Sequence, residues 1–190
     1  MYDSTADAYC YAGTTVLRNK ANLRTQELLD VFEHAAVLNR ADEALPAGRM
    51  SVSHYRAVHR HLFQDVYPWA GRFRTVRIAK GGSMFCYPEH IPAEMKRLFG
   101  ILNAEQHLTG LTPAAFAAKA AHFLAELNAI HPFREGNGRT QLTFFALLAE
   151  HAGHPIDFDK LEPATFLSSV IRSFRGDEAG LIRIICDLLE

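Results

Sequence analysis

The sequence predicts a mainly α fold with a single β-hairpin. Apolar residues recur at helical spacing in one segment after another, while β-prone runs occur at one place only, on either side of a glycine pair. No repeat or linker separates these pieces, and 190 residues is the length of one domain able to bury roughly 70% of its unfolded surface. The chain is therefore read as one domain, 1–190, with its core at about 9–186.

Taken in order, Thr25 is an N-cap residue ahead of a first helix whose face is Leu28, Val31, Phe32, Ala35 and Leu38, ending near Pro46 and Gly48. Ser51 or Ser53 caps a second helix, on which Tyr55, Val58, His59, Leu62 and Phe63 share a side before Pro68 stops it. The hairpin covers about 75–87: Thr75 to Ala79 and Met84 to Tyr87 are β-prone, and Lys80, Gly81, Gly82 and Ser83 suit a tight turn. A third helix at 88–106 is built on Ile91, Met95, Leu98, Phe99 and Leu102. Thr112 and Pro113 open a fourth, which buries Phe116, Ala120, Phe123, Leu124 and Leu127. A fifth runs over 137–151 with Gly153 as its C-terminal glycine, and 159–189 supplies two more, broken around Gly176.

Composition removes several function classes. With 48% hydrophobic and 22% charged residues the chain is neither disordered nor collagen-like. Twenty basic residues against twenty-one acidic ones leave a formal charge of −1, so no global positive field draws it to nucleic acid. Its apolar runs, such as 144–149, fall far short of the roughly 18 residues of a membrane span. The first seven residues carry two acids and no basic or apolar region, which does not read as a signal peptide, although the length also suits a domain within a longer protein. Cys10, Cys86 and Cys186 are scattered without a CxxC pair, which argues for reduced thiols in the cytoplasm rather than disulfides or zinc. His54, His59 and His61, or His151 and His154, lack the HExxH pattern of a metal site and read as solvated or capping residues.

Chemistry concentrates in one loop, His131-Pro132-Phe133-Arg134-Glu135-Gly136-Asn137-Gly138-Arg139. Pro132 forces His131 out of the right-handed helical region, so the imidazole stands at a helix C-terminus. The two glycines let the backbone turn and aim N–H groups outward at the start of the next helix, an anion nest. A cation in a first helical turn opposes the macrodipole by about 0.3–1 kcal/mol, a conflict at Arg139 that a bound anion resolves. Glu135 offers the hard oxygen that Mg²⁺ prefers beside phosphates. Piece by piece the same residues also read as a common turn, a cap and a helix stop.

As one string, His131 to Arg139 resembles the Fic-domain signature HPFx[DE]GNGR at every specified position. Upstream, Tyr67 to Arg74 (YPWAGRFR) is similar to the family's WAG segment, followed by the hairpin known there as the flap. The resemblance spans about 9–186 and implies the Fic fold, a helical bundle with one hairpin. It also implies a protein adenylyltransferase, which moves AMP from ATP to a Ser, Thr or Tyr hydroxyl of a target protein and releases pyrophosphate. His131 is then the base, Glu135 the Mg²⁺ ligand, and Arg134, Gly136, Asn137, Gly138 and Arg139 the nucleotide-binding residues. Within that set the backbone and the Asn137 amide cradle phosphates, and Arg139 holds the terminal one. Phe133 anchors the loop to the core. A helix C-terminus favours imidazolium, so activity is expected to rise with pH through the pKa of His131.

The hairpin admits two readings. Arg72, Arg74, Arg77 and Lys80 either guard an exposed strand edge or, as the resemblance implies, belong to a flap on which the target docks by strand addition. In the second reading Arg77, Ile78, Ala79 and Lys80 dock the target, and Lys80, Gly81, Gly82 and Ser83 neighbour the nucleotide.

Two departures matter. Leu142 stands where many Fic proteins carry a second arginine, which leaves the donor open to UTP or CDP-choline; a non-catalytic Fic-like binding module is a separate alternative, against which the intact His131, Glu135, Asn137 and Arg139 argue. Gly138 argues against the phosphate-transferring relatives, which have lysine there. No Ser or Thr is followed by the family's self-inhibitory [ST]xxxE[GN] pattern. The chain is therefore similar to toxin or effector cores inhibited in trans by a small antitoxin, a class whose targets include DNA gyrase and topoisomerase IV.

Overall fold

The computed structural model describes residues 7–189, so the start of the chain, read above for a leader, lies outside them at positions 1–6. Seven α-helices follow one another: α1 Gln26–Ala41, α2 Val52–Phe63, α3 Ile91–Ala104, α4 Pro113–Ile130, α5 Asn137–His151, α6 Pro163–Ser173 and α7 Ala179–Leu189. A two-stranded hairpin, β1 Ala79–Lys80 and β2 Ser83–Met84, stands between α2 and α3. Among the described residues no helix is long and apolar enough to cross a membrane.

Helix α4 is the hub, packing against α3, α5, α6 and α7. Its sequence explains why: Phe116, Ala117, Ala120, Ala121, Phe123, Leu124, Ala125, Leu127 and Ile130 are all buried, so apolar side chains surround it, and the alanines let neighbours approach closely. Thr112 accepts a hydrogen bond from the Ala115 N–H and starts it, as its capping chemistry predicts. Helix α2 joins α1, α3 and α5, burying the predicted face of Tyr55, Val58, His59, Leu62 and Phe63.

Three expectations fail here. In α1 most of the predicted face points outward, Leu28 being 57% exposed, Val31 72% and Leu38 52%; of that face Phe32 packs against the core, alongside Ala36 and the buried Leu29 and Val37. Two apolar stripes satisfy the same helical period, and contact with α2 selects the second. The helix also ends at Ala41, earlier than 46–48, because α2 engages its last turn: His61 Nε2 binds the Arg40 carbonyl at 2.7 Å and Asp65 takes the Arg40 guanidinium at 2.6 Å. Finally, strand pairing covers 79–84 rather than 75–87. The arms below it turn their backbone toward other partners, the Val76 and Cys86 carbonyls to the Arg74 guanidinium and the Cys86 N–H to the Ala129 carbonyl.

Candidate active site

His131 closes α4 in the left-handed conformation, φ 49° and ψ 63°, with its N–H donating to the Leu127 carbonyl at 3.0 Å. The residue is 7% exposed, and its ring stacks on Phe85 with centroids 3.9 Å apart. Nδ1 lies 3.3 Å from the Asn128 carbonyl; donation there puts the basic lone pair on Nε2. Burial pushes the imidazole pKa down to about 3, with the Arg74 and Lys80 charges adding to the effect and the Asn128 bond opposing it. This corrects the expectation of an imidazolium: desolvation outweighs the helix dipole, and the group is neutral throughout the physiological range.

The loop that follows is held from inside. Phe133 is fully buried and stacks on His59 at 3.7 Å and on Tyr55 at 5.5 Å. The Asn137 side chain closes a ring with the Phe133 backbone, accepting its N–H at 2.9 Å and donating to its carbonyl at 2.8 Å. The Asn137 amide therefore braces the loop from a 1% exposed position, with its oxygen and one of its two N–H groups engaged by the Phe133 backbone. Gly136 has φ +80°, and a Cβ there would sit 2.3 Å from the Phe63 ring, so conformation and space both require glycine.

At Gly138 a Cβ would meet nothing within 4 Å. The space above the first turn of α5 is open, and the N–H groups of that turn have no acceptor within the helix. Glu135 is nearby, accepting the Gly136 N–H on Oε1 at 2.9 Å with its side chain 31% exposed. Among the described residues no group of three or more metal-ligating side chains gathers. The Arg139 guanidinium lies 4.7 Å over the Phe63 ring and binds Glu33 Oε1 at 2.5 Å, with Glu135 at 3.8 Å. The other Glu33 oxygen accepts the Tyr67 hydroxyl, whose pKa burial and that carboxylate hold well above the ordinary phenol value.

Arg134 has a different partner from the expected nucleotide. It is 4% exposed and ion-pairs with Asp7 at 2.5 Å, on the wall of a polar cavity of about 330 Å³ shared with Asp30, Glu33, Tyr67 and Glu135. In the hairpin turn Gly81 and Gly82 have φ +57° and +79°, both positive as a tight primed turn demands. Lys80 is exposed there, and its charge reaches the His131 imidazole. Of the expected docking residues, Ile78 is 1% exposed and offers only its backbone, Ala79 is half-buried, and Arg77 covers the Tyr87 ring at 4.3 Å. Arg74 is no edge charge, being 2% exposed beneath the hairpin. Leu142 is half-buried.

Three residues outside the motif complete the site. His59, which the sequence places on the shared face of α2 and also reads as solvated or capping, is fully buried, as the first reading has it: Nδ1 accepts the Gly71 N–H at 2.8 Å, so Nε2 carries the hydrogen and donates to the Glu135 carbonyl at 3.0 Å. Burial pushes its pKa to about 3. Its place on the apolar face of α2 is the signal that marks it as a core residue. Glu33 and Asp7 have no such signal, since only folding brings them to partners 106 and 127 residues away.

Comparison with known proteins places this geometry. Residues 49–149 match the model of the Fic/DOC family. The chain is 55% identical to the probable protein adenylyltransferase y4lH of Sinorhizobium fredii, over 95% of this chain and 94% of that one. It is 36% identical to the protein adenylyltransferase VbhT of Bartonella schoenbuchensis over 96% of its own length, although that match covers only 39% of VbhT. The crystal structure of the Bartonella tribocorum effector BepC, which holds AMPPNP, superposes with a TM-score of 0.86 at 27% identity, covering 95% of each chain. A buried histidine at the end of α4, open space over the first turn of α5 and a family match that runs from before α2 into α5 all lead to one assignment: the chain belongs to the Fic/DOC family.

Proposed function

We propose that this protein adenylyltransferase works through the loop 131–139, with His131 as the general base. A Ser, Thr or Tyr hydroxyl of a target protein loses its proton to His131 Nε2 while its oxygen attacks the α-phosphorus of ATP. The new O–P bond forms as the bond to the β-phosphate oxygen breaks, leaving AMP on the target and pyrophosphate as product. The N–H groups at 137 and 138 bind the phosphates, that of Gly136 being taken by Glu135 Oε1, and Arg139, seated on Phe63, holds the terminal one through the edge not taken by Glu33.

Glu135 suits Mg²⁺: one exposed-side carboxylate beside an anion nest is the donor set of an ion whose other ligands are phosphate oxygens and water. Such an ion supplies charge neutralisation at the phosphates. The target docks by its backbone along the hairpin edge at 77–80, which supports a readout of segment shape over side-chain identity. A small antitoxin acting in trans is the proposed regulator, supported by the absence of the self-inhibitory pattern from the sequence. DNA gyrase and topoisomerase IV are the proposed targets by analogy with that class, and the cytoplasm of the producing or the recipient cell is the proposed place of action.

The observation that carries this reading is the buried, neutral His131 in the same rigid loop as the open nest. Its test is incubation with bacterial lysate, Mg²⁺ and ATP labelled at the α- or the γ-phosphate. Protein labelled from α-ATP only, and lost with His131→Ala, is expected. Label from γ-ATP would mean phosphoryl transfer, and label that survives the substitution would remove His131 from the chemistry.

A further inference from the structure

Arg74 is among the largest fully buried side chains of the molecule, although an arginine is normally found at the surface. Its guanidinium joins three separate pieces of backbone. Nε donates to the His131 carbonyl at 2.8 Å and one terminal nitrogen to the Val76 carbonyl at 2.7 Å. The other terminal nitrogen donates to the Cys86 carbonyl at 2.6 Å and the Ile130 carbonyl at 3.3 Å. Its own N–H donates to the Pro132 carbonyl at 2.9 Å. Val76 and Cys86 are the two arms at the root of the hairpin, and 130–132 is the end of α4 together with the base of the catalytic loop.

The chemistry of each piece explains why an arginine is placed there. The Ile130 and His131 carbonyls lie beyond the last hydrogen-bonded turn of α4 and have no helical donor, and a cation at that end matches the dipole. A non-glycine residue in the left-handed region persists only where its surroundings over-determine it. His131 is held there by Arg74 on its carbonyl and Phe85 on its ring. Only the planar fork of arginine reaches carbonyls on three segments at once; the single nitrogen of lysine does not. Two further ties cross the same boundary, the Cys86 N–H to the Ala129 carbonyl at 3.1 Å and the Phe85 ring on the imidazole.

We propose that Arg74 is a positioning residue for transfer, locking the root of the hairpin and the end of α4 into one rigid unit so that a hydroxyl presented by the hairpin is in register with His131. The proposal rests on the reading of His131 as base and the hairpin as dock. Its contacts at 76, 86 and 130–132 lie outside the nest at 135–139, so Arg74 governs the rate of transfer and not the binding of nucleotide. Its charge also helps to keep the neighbouring imidazole neutral.

The first test compares wild type, Arg74→Lys and Arg74→Met in transfer from α-labelled ATP to lysate proteins, with ATP binding followed by calorimetry in the presence of Mg²⁺. The rate at saturating ATP is expected to fall at least tenfold in Arg74→Lys, while the KM and Kd for ATP stay within about twofold of wild type. An unchanged rate, or ATP binding that weakens as much as the rate falls, would overturn the proposal. The second test is native-state hydrogen exchange on the wild-type chain, which decides the coupling even if neither variant folds. The Arg74, Phe85, Cys86 and Phe133 amides are expected to open with one free energy and one urea dependence. A hairpin root that opens alone, at lower free energy than Phe133, would sink the idea. His131→Ala serves as the separate arm: label surviving in that variant removes the base and leaves the exchange result standing.

Discussion

The loop at 131–139 and the hairpin turn at 80–83 each carry two glycines, yet different forces shape them. In the loop nearly every group is held from within: Phe133 between His59 and Tyr55, Asn137 on the Phe133 backbone, and Gly136 against the Phe63 ring. In the turn, a Cβ added at Gly81 or Gly82 would meet nothing within 4 Å, and the pairing is short, Ala79 with Met84 and Lys80 with Ser83, with one further bond from the Phe85 N–H to the Ile78 carbonyl at 3.4 Å. Packing determines the first region and backbone conformation alone determines the second. In the proposed mechanism the first region keeps its atoms in place for chemistry, whereas the second offers an edge to the target.

The largest effect that separates the two regions is on rate. His131→Ala is expected to lower AMP transfer by about 10²- to 10⁴-fold with the fold intact by circular dichroism, whereas Lys80→Ala is expected to change it by less than about tenfold. Equal losses would erase the distinction between a chemical and a docking region.

Acid should act on the loop side, where the two buried histidines lie. Both have folded pKa values near 3, below the ordinary 6.5 of an exposed histidine. The unfolded chain therefore binds protons first as pH falls: stability is whole above pH 6.5 and declines from there toward pH 3. The loss is about 1.4 kcal/mol per pH unit per histidine, or about 4 kcal/mol for the pair by pH 5. Urea titrations at pH 7 and pH 5 measure it, and His59→Phe should remove about half. While the protein remains folded, the same pKa makes the transfer rate flat in its His131 dependence from pH 5.5 to 8.5.

A matched glycine pair sharpens the comparison further. Gly136→Ala is expected to cost about 3 kcal/mol or more, because a left-handed φ and a ring clash combine, against about 1 kcal/mol for Gly81→Ala, where only φ is strained. Denaturant midpoints decide this, and similar costs would mean that Phe63 moves aside. The smallest effect is expected on α1: Leu28→Ala should stay within about 0.5 kcal/mol, while Leu29→Ala should cost about 2–4 kcal/mol, reversing the order the helical pattern predicts.

How far the sequence could be read follows from the range of the interactions involved. The α4 and α5 boundaries and the faces of α2 and α3 are legible because caps, prolines and glycines act over a few residues and each of these two faces has one apolar stripe, while α4 is apolar on so many sides that its burial needs no choice of face. The α1 face is not, since two stripes fit one period and nothing local chooses between them. The motif marks His131, but the charge that a helix end favours is not the one its surroundings impose, because burial is a property of the surroundings and not of the helix end.

Chain chemistry over short distances thus accounts for the helical architecture, the left-handed exit at His131 before Pro132, the glycine turns and the family signature. Contacts between distant segments account for the rest: Glu33 on Arg139, Asp7 on Arg134, His59 beneath Glu135, and the conversion of Arg74 from a surface charge into a buried clamp. These pairs are separated by 57 to 127 residues. Their formation depends on how whole helices pack, and desolvation, which sets the charge of His131 and the worth of every buried hydrogen bond, exists only once that packing is complete.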